Sequence, residues 1–343
     1  MADKIRAVLV GCGGISRAWL RAAEGIDHLE IVGMVDLYEE TAKTRAAEFN
    51  LDGVLISTDM QAALDQTKPD IVFNCTVPEA HLEVSERALR SGYHVLSEKP
   101  LADSMASAQA LVKAAEESGK LFAVIQNRRY HDSIRRLSRF LKADSLGPLT
   151  TINSDFYIGA HFGGFRDHME HVLLLDMAIH TFDAARMLAN ADPVAVYCKE
   201  WNPSGSWYDR DASAIAIFEF DNGIVYTYRG SWCAEGVRTT WECDWRIIGE
   251  QGTVTWDGAE DFQAQTVANK TDVLFYEYQD VEIPTFDPAD KIGSHAGLIA
   301  DFVDCVAEGR TPETTGADNI KSLAMVFGAI ESAEKGQRVE IRW

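Results

Sequence analysis

Apolar and polar positions follow two different rhythms along the 343 residues. From residue 1 to about 125, short apolar runs recur at Val8-Leu9-Val10, Ile31 to Val35, Val54-Leu55-Ile56, Asp70 to Thr76, His94-Val95-Leu96 and Leu121 to Ile125. Between several of them lie stretches with helical spacing, over about 40–49, 79–91 and 104–118. Thr58 and Ser104 are placed to cap helices, and Gly92 and Gly119 to end them. Strands alternating with helices predict a parallel, doubly wound α/β sheet, which takes its ligands beyond the carboxyl ends of the strands.

The rhythm changes in the second half. After a predicted helix near 131–141 and the turn at Gly147-Pro148, the strands become longer and more aromatic. Asp221-Asn222-Gly223 joins the alternating runs 215–220 and 224–228 as a hairpin. Further strands are expected near 149–157, 194–200, 242–248, 253–256, 273–283 and 338–342, and helices near 171–190, 295–308 and 317–335. The division expected is residues 1–125 and 126–343, the second an α+β domain with a large, mostly antiparallel open sheet carrying helices on one face. Its other face needs a cover, so a homodimer or homotetramer is expected.

Composition narrows the function. A hydrophobic fraction of 46% is ample for real cores, and the length suits about two domains. Fifty-three acids against 32 bases give a net charge of −21, which repels nucleic acid and anionic membrane surfaces and suits a small, weakly charged ligand. No leader pattern and no apolar run of about 20 residues is visible, so a cytoplasmic location is expected. The six cysteines include no Cys-x-x-Cys pair and read as reduced core residues. His161, His168, His171 and His180 match no tight ligand spacing, so no metal is expected.

The chemistry begins at Val10-Gly11-Cys12-Gly13-Gly14-Ile15-Ser16, where a strand feeds a glycine turn that opens a helix. Glycines there let the backbone approach a pyrophosphate, and the helix start offers N–H groups and a positive dipole end. Ser16 stands where a third glycine is usual, and it is small enough for helix to meet strand. The second strand ends in Asp36, twenty positions beyond Ser16. A carboxylate there accepts ribose hydroxyls and repels a 2′-phosphate, and Leu37 and Tyr38 add no cation, so NAD is favoured over NADP. The first domain therefore reads as a Rossmann domain.

Three further groups stand out: Glu98-Lys99-Pro100, Thr76-Val77-Pro78-Glu79-Ala80-His81 and Asp176-x-x-x-His180. With the glycine turn, Asp36, the stretch from Gln126 to Tyr130 and that from Phe302 to Pro312, they resemble the glucose–fructose oxidoreductase/inositol dehydrogenase/MocA family along essentially the whole chain. The resemblance implies hydride transfer between a nicotinamide and a sugar, cyclitol or related polyol, with Lys99, Asp176 and His180 at the reacting carbon. It also implies cofactor contacts from Gly11, Gly13, Gly14, Ile15, Ser16, Asp36, Leu37, Thr76, His81, Glu98, Lys99 and Asn127. Arg128 and Tyr130 are expected in the substrate cleft, beside Lys99, Asp176 and His180.

Elementary chemistry agrees with those roles. Oxidising a secondary alcohol needs a base for the hydroxyl proton, and the pKa of histidine suits His180 to it. An ammonium at Lys99 would stabilise the developing alkoxide, and Pro100 restricts Lys99 to extended geometry, a cis bond being one way to fix its direction. Four residues apart on a helix, Asp176 and His180 share a face, a spacing that equally suits a surface ion pair. The segment Phe165 to His171 replaces a glycine cluster common in the family, which leaves the substrate open. The Trp201 to Tyr208 loop suits stacking on a sugar or ordinary packing. Two other activities remain compatible: glycoside cleavage through transient oxidation with retained NAD, and a cofactor-bound sensor.

Overall fold

The computed structural model describes residues 4–343, which form two compact units. The first takes in the chain up to Tyr130, Lys291–Leu323 and Trp343; the second comprises His131–Asp290 and Ala324–Arg342. Residues 291–323, expected in the second domain, thus return to the first.

The first unit opens with β1 (Ile5–Val10), α1 (Ser16–Glu24), β2 (Leu29–Val35), α2 (Glu39–Glu48), β3 (Leu55–Ser57), α3 (Met60–Thr67) and β4 (Ile71–Asn74). It continues through α4 (His81–Arg90), β5 (His94–Ser97), α5 (Met105–Ser118) and β6 (Phe122–Val124). The strands lie in the order β3-β2-β1-β4-β5-β6, every pair parallel. Order reverses beside β1, so the ends of β1 and β4 flank the crevice where a doubly wound sheet binds its ligand. Asp59, not Thr58, caps α3, accepting from Ala62 N at 3.1 Å, whereas Ser104 caps α5 through Ser107 N.

The second unit holds α6 (Asp132–Lys142), β7 (Leu149–Tyr157), a π-helical segment Leu173–Ala178, α7 (Ile179–Ala189), β8 (Pro193–Trp201), β9 (Ser213–Phe220) and β10 (Val225–Ser231). After β11 (Asp244–Gly249), β12 (Gly252–Trp256), β13 (Phe262–Asn269) and β14 (Glu277–Asp280), α8 (Ser294–Glu308) belongs to the first unit. The chain ends with α9 (Gly316–Lys335) and β15 (Val339–Glu340). Nine strands run β14-β13-β12-β11-β7-β10-β9-β8-β15, and only β7 and β10 pair parallel. Phe182 of α7 packs edge-on against Phe218 and Tyr228 of the sheet, at 4.8 and 5.2 Å between ring centres.

The core of the first unit explains why residues 291–323 return to it. Leu298, Ile299, Phe302 and Val303 are buried along α8 and join Trp19, Leu20, Phe73 and Tyr130 in one cluster. Leaving that face in water would expose four large side chains, each worth about 1.5–3 kcal/mol when buried. Among the described residues, no helix is long and apolar enough to cross a membrane.

Candidate active site

The turn between β1 and α1 is shaped for close approach. Gly11 has φ +90°, and a Cβ on it would lie 2.7 Å from the Cys75 carbonyl carbon, so only glycine fits against the end of β4. At Gly13 and Gly14 a Cβ would meet nothing within 4 Å, which leaves an open cradle above the turn. Gly11 N donates to Val35 O at 2.8 Å, and Cys12 N donates to Asp36 Oδ2 at 2.8 Å. Tyr38 N donates to the other Asp36 oxygen at 3.0 Å, so the acid is fixed at the strand end by two backbone groups. Ser16 is fully buried and its hydroxyl donates to Gly13 O at 2.6 Å; the residue in the third glycine position ties the turn to α1. Burial pushes the neighbouring Cys12 thiol up to about 12, keeping it neutral beside Asp36.

A cavity of about 660 Å³ opens here, lined by Gly11, Gly13, Asp36, Leu37, Tyr38 and Thr76 among others, a size suited to a cofactor. Leu37 and Tyr38 are 87% and 72% exposed at its margin, and Ile15 at the start of α1 is exposed as well. Open glycines, helix N–H groups and a fixed acid fit the diphosphate and ribose of NAD.

The ends of β4 and β5 supply the next group. Asn74 Oδ1 accepts from Thr76 N and, at 2.6 Å, from Thr76 Oγ1, which fixes the loop after β4. His81, expected to face the cofactor, is fully buried instead. Its ring nitrogens lie 2.7 Å from Pro100 O and 3.1 Å from Thr76 O, and burial lowers its pKa. A ring so enclosed braces two loops.

Glu98 is 6% exposed, and its carboxylate accepts from the Trp19 indole N–H at 2.6 Å and from Lys99 N at 3.1 Å. Burial alone would raise its pKa, but His295, 3.8 Å away, the Trp19 indole and the Lys99 charge together hold it below the usual range. The Lys99–Pro100 peptide is cis, and the Lys99 side chain is half-buried.

Asn127 donates to Ser294 Oγ at 2.8 Å, and its Oδ1 is buried with no hydrogen-bond partner among the described residues. That leaves an acceptor for a ligand or water. Tyr130, expected in the substrate cleft, is 1% exposed and donates to Asp301 at 2.7 Å, which anchors it to α8. Arg128 is buried too.

In the second unit, the Asp176 spacing lies partly outside regular α-helix: Asp176 sits in the π-helical segment and His180 in the first turn of α7. Single π turns recur at functional sites. Arg166, from a 3₁₀ turn over Gly164–His168, clasps Asp176 through Nε at 2.7 Å and a second nitrogen at 3.3 Å. The guanidinium also lies over the Phe162 and Phe165 rings, at 4.9 and 4.8 Å. Asp176 is 14% exposed and His180 half-buried.

The histidines before that helix take separate partners: His161 meets Glu235, His168 meets Asp209 and His171 meets Glu200, at 2.7, 2.6 and 2.6 Å. Trp207 stacks on His161 at 3.7 Å, so part of the aromatic loop packs on its own unit. Sequence reasoning missed Arg166, Trp19 and His295. For Trp19 and His295 no local motif exists; Arg166 was visible only as a charge within an unusual segment.

A Rossmann sheet with this cradle at its switch point defines a dinucleotide-binding protein. Residues 5–126 match the family model for the oxidoreductase family with an NAD-binding Rossmann fold, and residues 134–255 match the GFO/IDH/MocA C-terminal domain. The chain belongs to the Gfo/Idh/MocA family of NAD-binding oxidoreductases.

Among curated relatives it is 27% identical to the uncharacterized protein y4oX of Sinorhizobium fredii, over 97% of this chain and 94% of that one. It is 24% identical to the D-apiose dehydrogenase of Paraburkholderia graminis, over 99% and 90%. Among solved structures, an oxidoreductase from Agrobacterium radiobacter in complex with NAD+, L-tartaric acid and magnesium superposes with a TM-score of 0.87 at 20% identity, covering 98% of both chains.

Proposed function

We propose that this protein is an NAD-dependent dehydrogenase acting on a secondary hydroxyl of a sugar, sugar derivative or inositol. The observation that carries the redox reading is the open glycine cradle beside a backbone-held Asp36, a seat for a dinucleotide in a chain of this family. A D-apiose dehydrogenase related along nearly the whole chain supports the substrate class. Asp36, fixed against the turn and lacking a nearby sequence cation, favours ribose hydroxyls over a 2′-phosphate and hence NAD over NADP.

In this reading the bound nicotinamide accepts or returns the hydride. His180 takes the proton of the reacting hydroxyl, and Lys99 stabilises the alkoxide with its ammonium. Asp176, clasped by Arg166, orients His180 or a substrate hydroxyl. Thr76, Glu98 and Asn127 contact the nicotinamide side of the cofactor, the last through its unpartnered oxygen. Arg128 belongs to the substrate cleft. Tyr130 and His81 act through the loops they brace.

The test is a panel of sugars, glycosides and inositols assayed with NAD and NADP, followed by Lys99→Ala and His180→Ala on the best substrate. Turnover should fall by about two orders of magnitude or more in each variant, with NAD affinity nearly unchanged. Near-normal turnover would remove the assigned roles, and no reduction of either nucleotide by any polyol would remove the substrate class.

A further inference from the structure

We infer that Arg45, a buried residue of α2 outside every recognised motif, is a positioning residue that aims the backbone N–H groups of the glycine turn at the cofactor diphosphate. Arg45 is 6% exposed. Its Nε and one terminal nitrogen both lie 3.3 Å from Cys12 O, and that same nitrogen donates to Gly13 O at 3.0 Å. Within a trans peptide unit the C=O and the following N–H point in opposite directions. The carbonyls of Cys12 and Gly13 belong to the peptides whose N–H groups are those of Gly13 and Gly14. Holding both oxygens on the α2 side therefore turns both N–H groups the other way.

Above the same turn a Cβ on Gly13 or Gly14 would meet nothing within 4 Å, so the backbone there is open to a ligand. Among the described residues neither N–H has a backbone acceptor, whereas Gly11 N is taken by Val35 O and Cys12 N by Asp36. The turn is thus gripped from two directions: the Asp36 carboxylate takes the Cys12 N–H, and the Arg45 guanidinium takes the Cys12 and Gly13 carbonyls. The Gly13 and Gly14 N–H groups are thereby left for a diphosphate, beside those of the first turn of α1.

The guanidinium has its own support. Glu48, one turn further along α2, pairs with Arg45 and with Arg17 of α1, the latter at 2.8 Å. That arrangement links the helix after the turn to α2. The charge matters as well as the geometry. In a chain with a net charge of −21, a buried cation behind these peptides polarises them toward the anion and offsets repulsion of a doubly charged diphosphate. Lysine cannot replace this function fully, because one ammonium has no planar fork to span two carbonyls.

The experiment is calorimetric titration of the full-length protein with NAD and with adenosine, the latter by competition, for the parent protein, Arg45→Met and Arg45→Lys. No turnover is involved, so the result stands apart from the fate of the substrate assignment. Arg45→Met should weaken NAD about tenfold or more, the scale of a lost charge-assisted interaction, while adenosine, which lacks the diphosphate, binds within about twofold of the parent. Arg45→Lys should fall between, and it decides the matter if the methionine variant does not fold. Unchanged NAD affinity in Arg45→Lys together with unchanged or unmeasurable Arg45→Met, or a loss of adenosine affinity equal to that of NAD, would overturn the inference.

Discussion

At the scale of single residues, His171 shows how a side chain acquires a role from one distant partner. It occupies the left-handed region, φ +51°, just before the segment that carries Asp176, and its carbonyl accepts from Leu175 N at 3.0 Å. Its Nδ1 lies 2.6 Å from Glu200, a residue only 5% exposed, and that hydrogen bond raises the imidazole pKa above its ordinary 6.5. A raised value means that the folded protein holds the proton more tightly than the unfolded chain. The imidazole's contribution to stability is therefore fully present below about pH 6.5 and is lost as pH rises through the raised value. Thermal unfolding across pH 6 to 9 should show this decline in the parent and a flatter profile in His171→Gln; parallel profiles would contradict it. In the sequence His171 was one of several closely spaced histidines. Its partner lies 29 positions away on β8, and nothing local marks such a pairing.

Among elements, legibility followed the strength of the apolar pattern. The first six strands were readable because each is a compact apolar run between helices, and Gly11 and Asp36 mark their own positions by the geometry they require. β13 was missed because, after Phe262, its outward residues are Gln263 and Gln265 and its inward ones the small Ala264 and Thr266, which set only a weak alternating rhythm. α8 was legible as a helix but not as a member of the first unit, since amphipathicity names a buried face and not its partner. The π-helical stretch was read as ordinary helix because six residues, little more than one turn, are too few for its wider period to show in the apolar pattern. The Arg166 clasp follows from tertiary structure alone. If it positions Asp176, Arg166→Gln should lower kcat/KM by about ten- to hundredfold, as small misplacements at a reacting centre do, with NAD affinity retained. Parent-like kcat/KM would show that Asp176 holds its place without the clasp.

For the whole molecule, the outer face of the nine-stranded sheet is what bears on association. Tyr197, Ile217, Thr227, Asn153 and Arg246 stand abreast on five adjacent strands, a row that passes from apolar to polar across the sheet. Ile215, Ile217, Tyr197, Val194 and Val225 are each about 40% exposed, which gathers an apolar patch over β8, β9 and β10. Patches of this kind on outward strand faces mark association surfaces, and a two-fold axis would set the same strands of two copies against each other. The acidic net charge opposes such pairing. Across the polar end of the face, however, Arg229 pairs with Asp155, so local charge there is balanced and little repulsion arises where two copies would meet. A homodimer or homotetramer is expected, and light scattering at micromolar concentration should report at least twice the mass of one chain. Ile217→Asp places a carboxylate at the centre of the patch in both copies, and it should shift the protein to single chains without loss of NAD affinity. A parent protein already monomeric at that concentration would show that the patch serves some other contact.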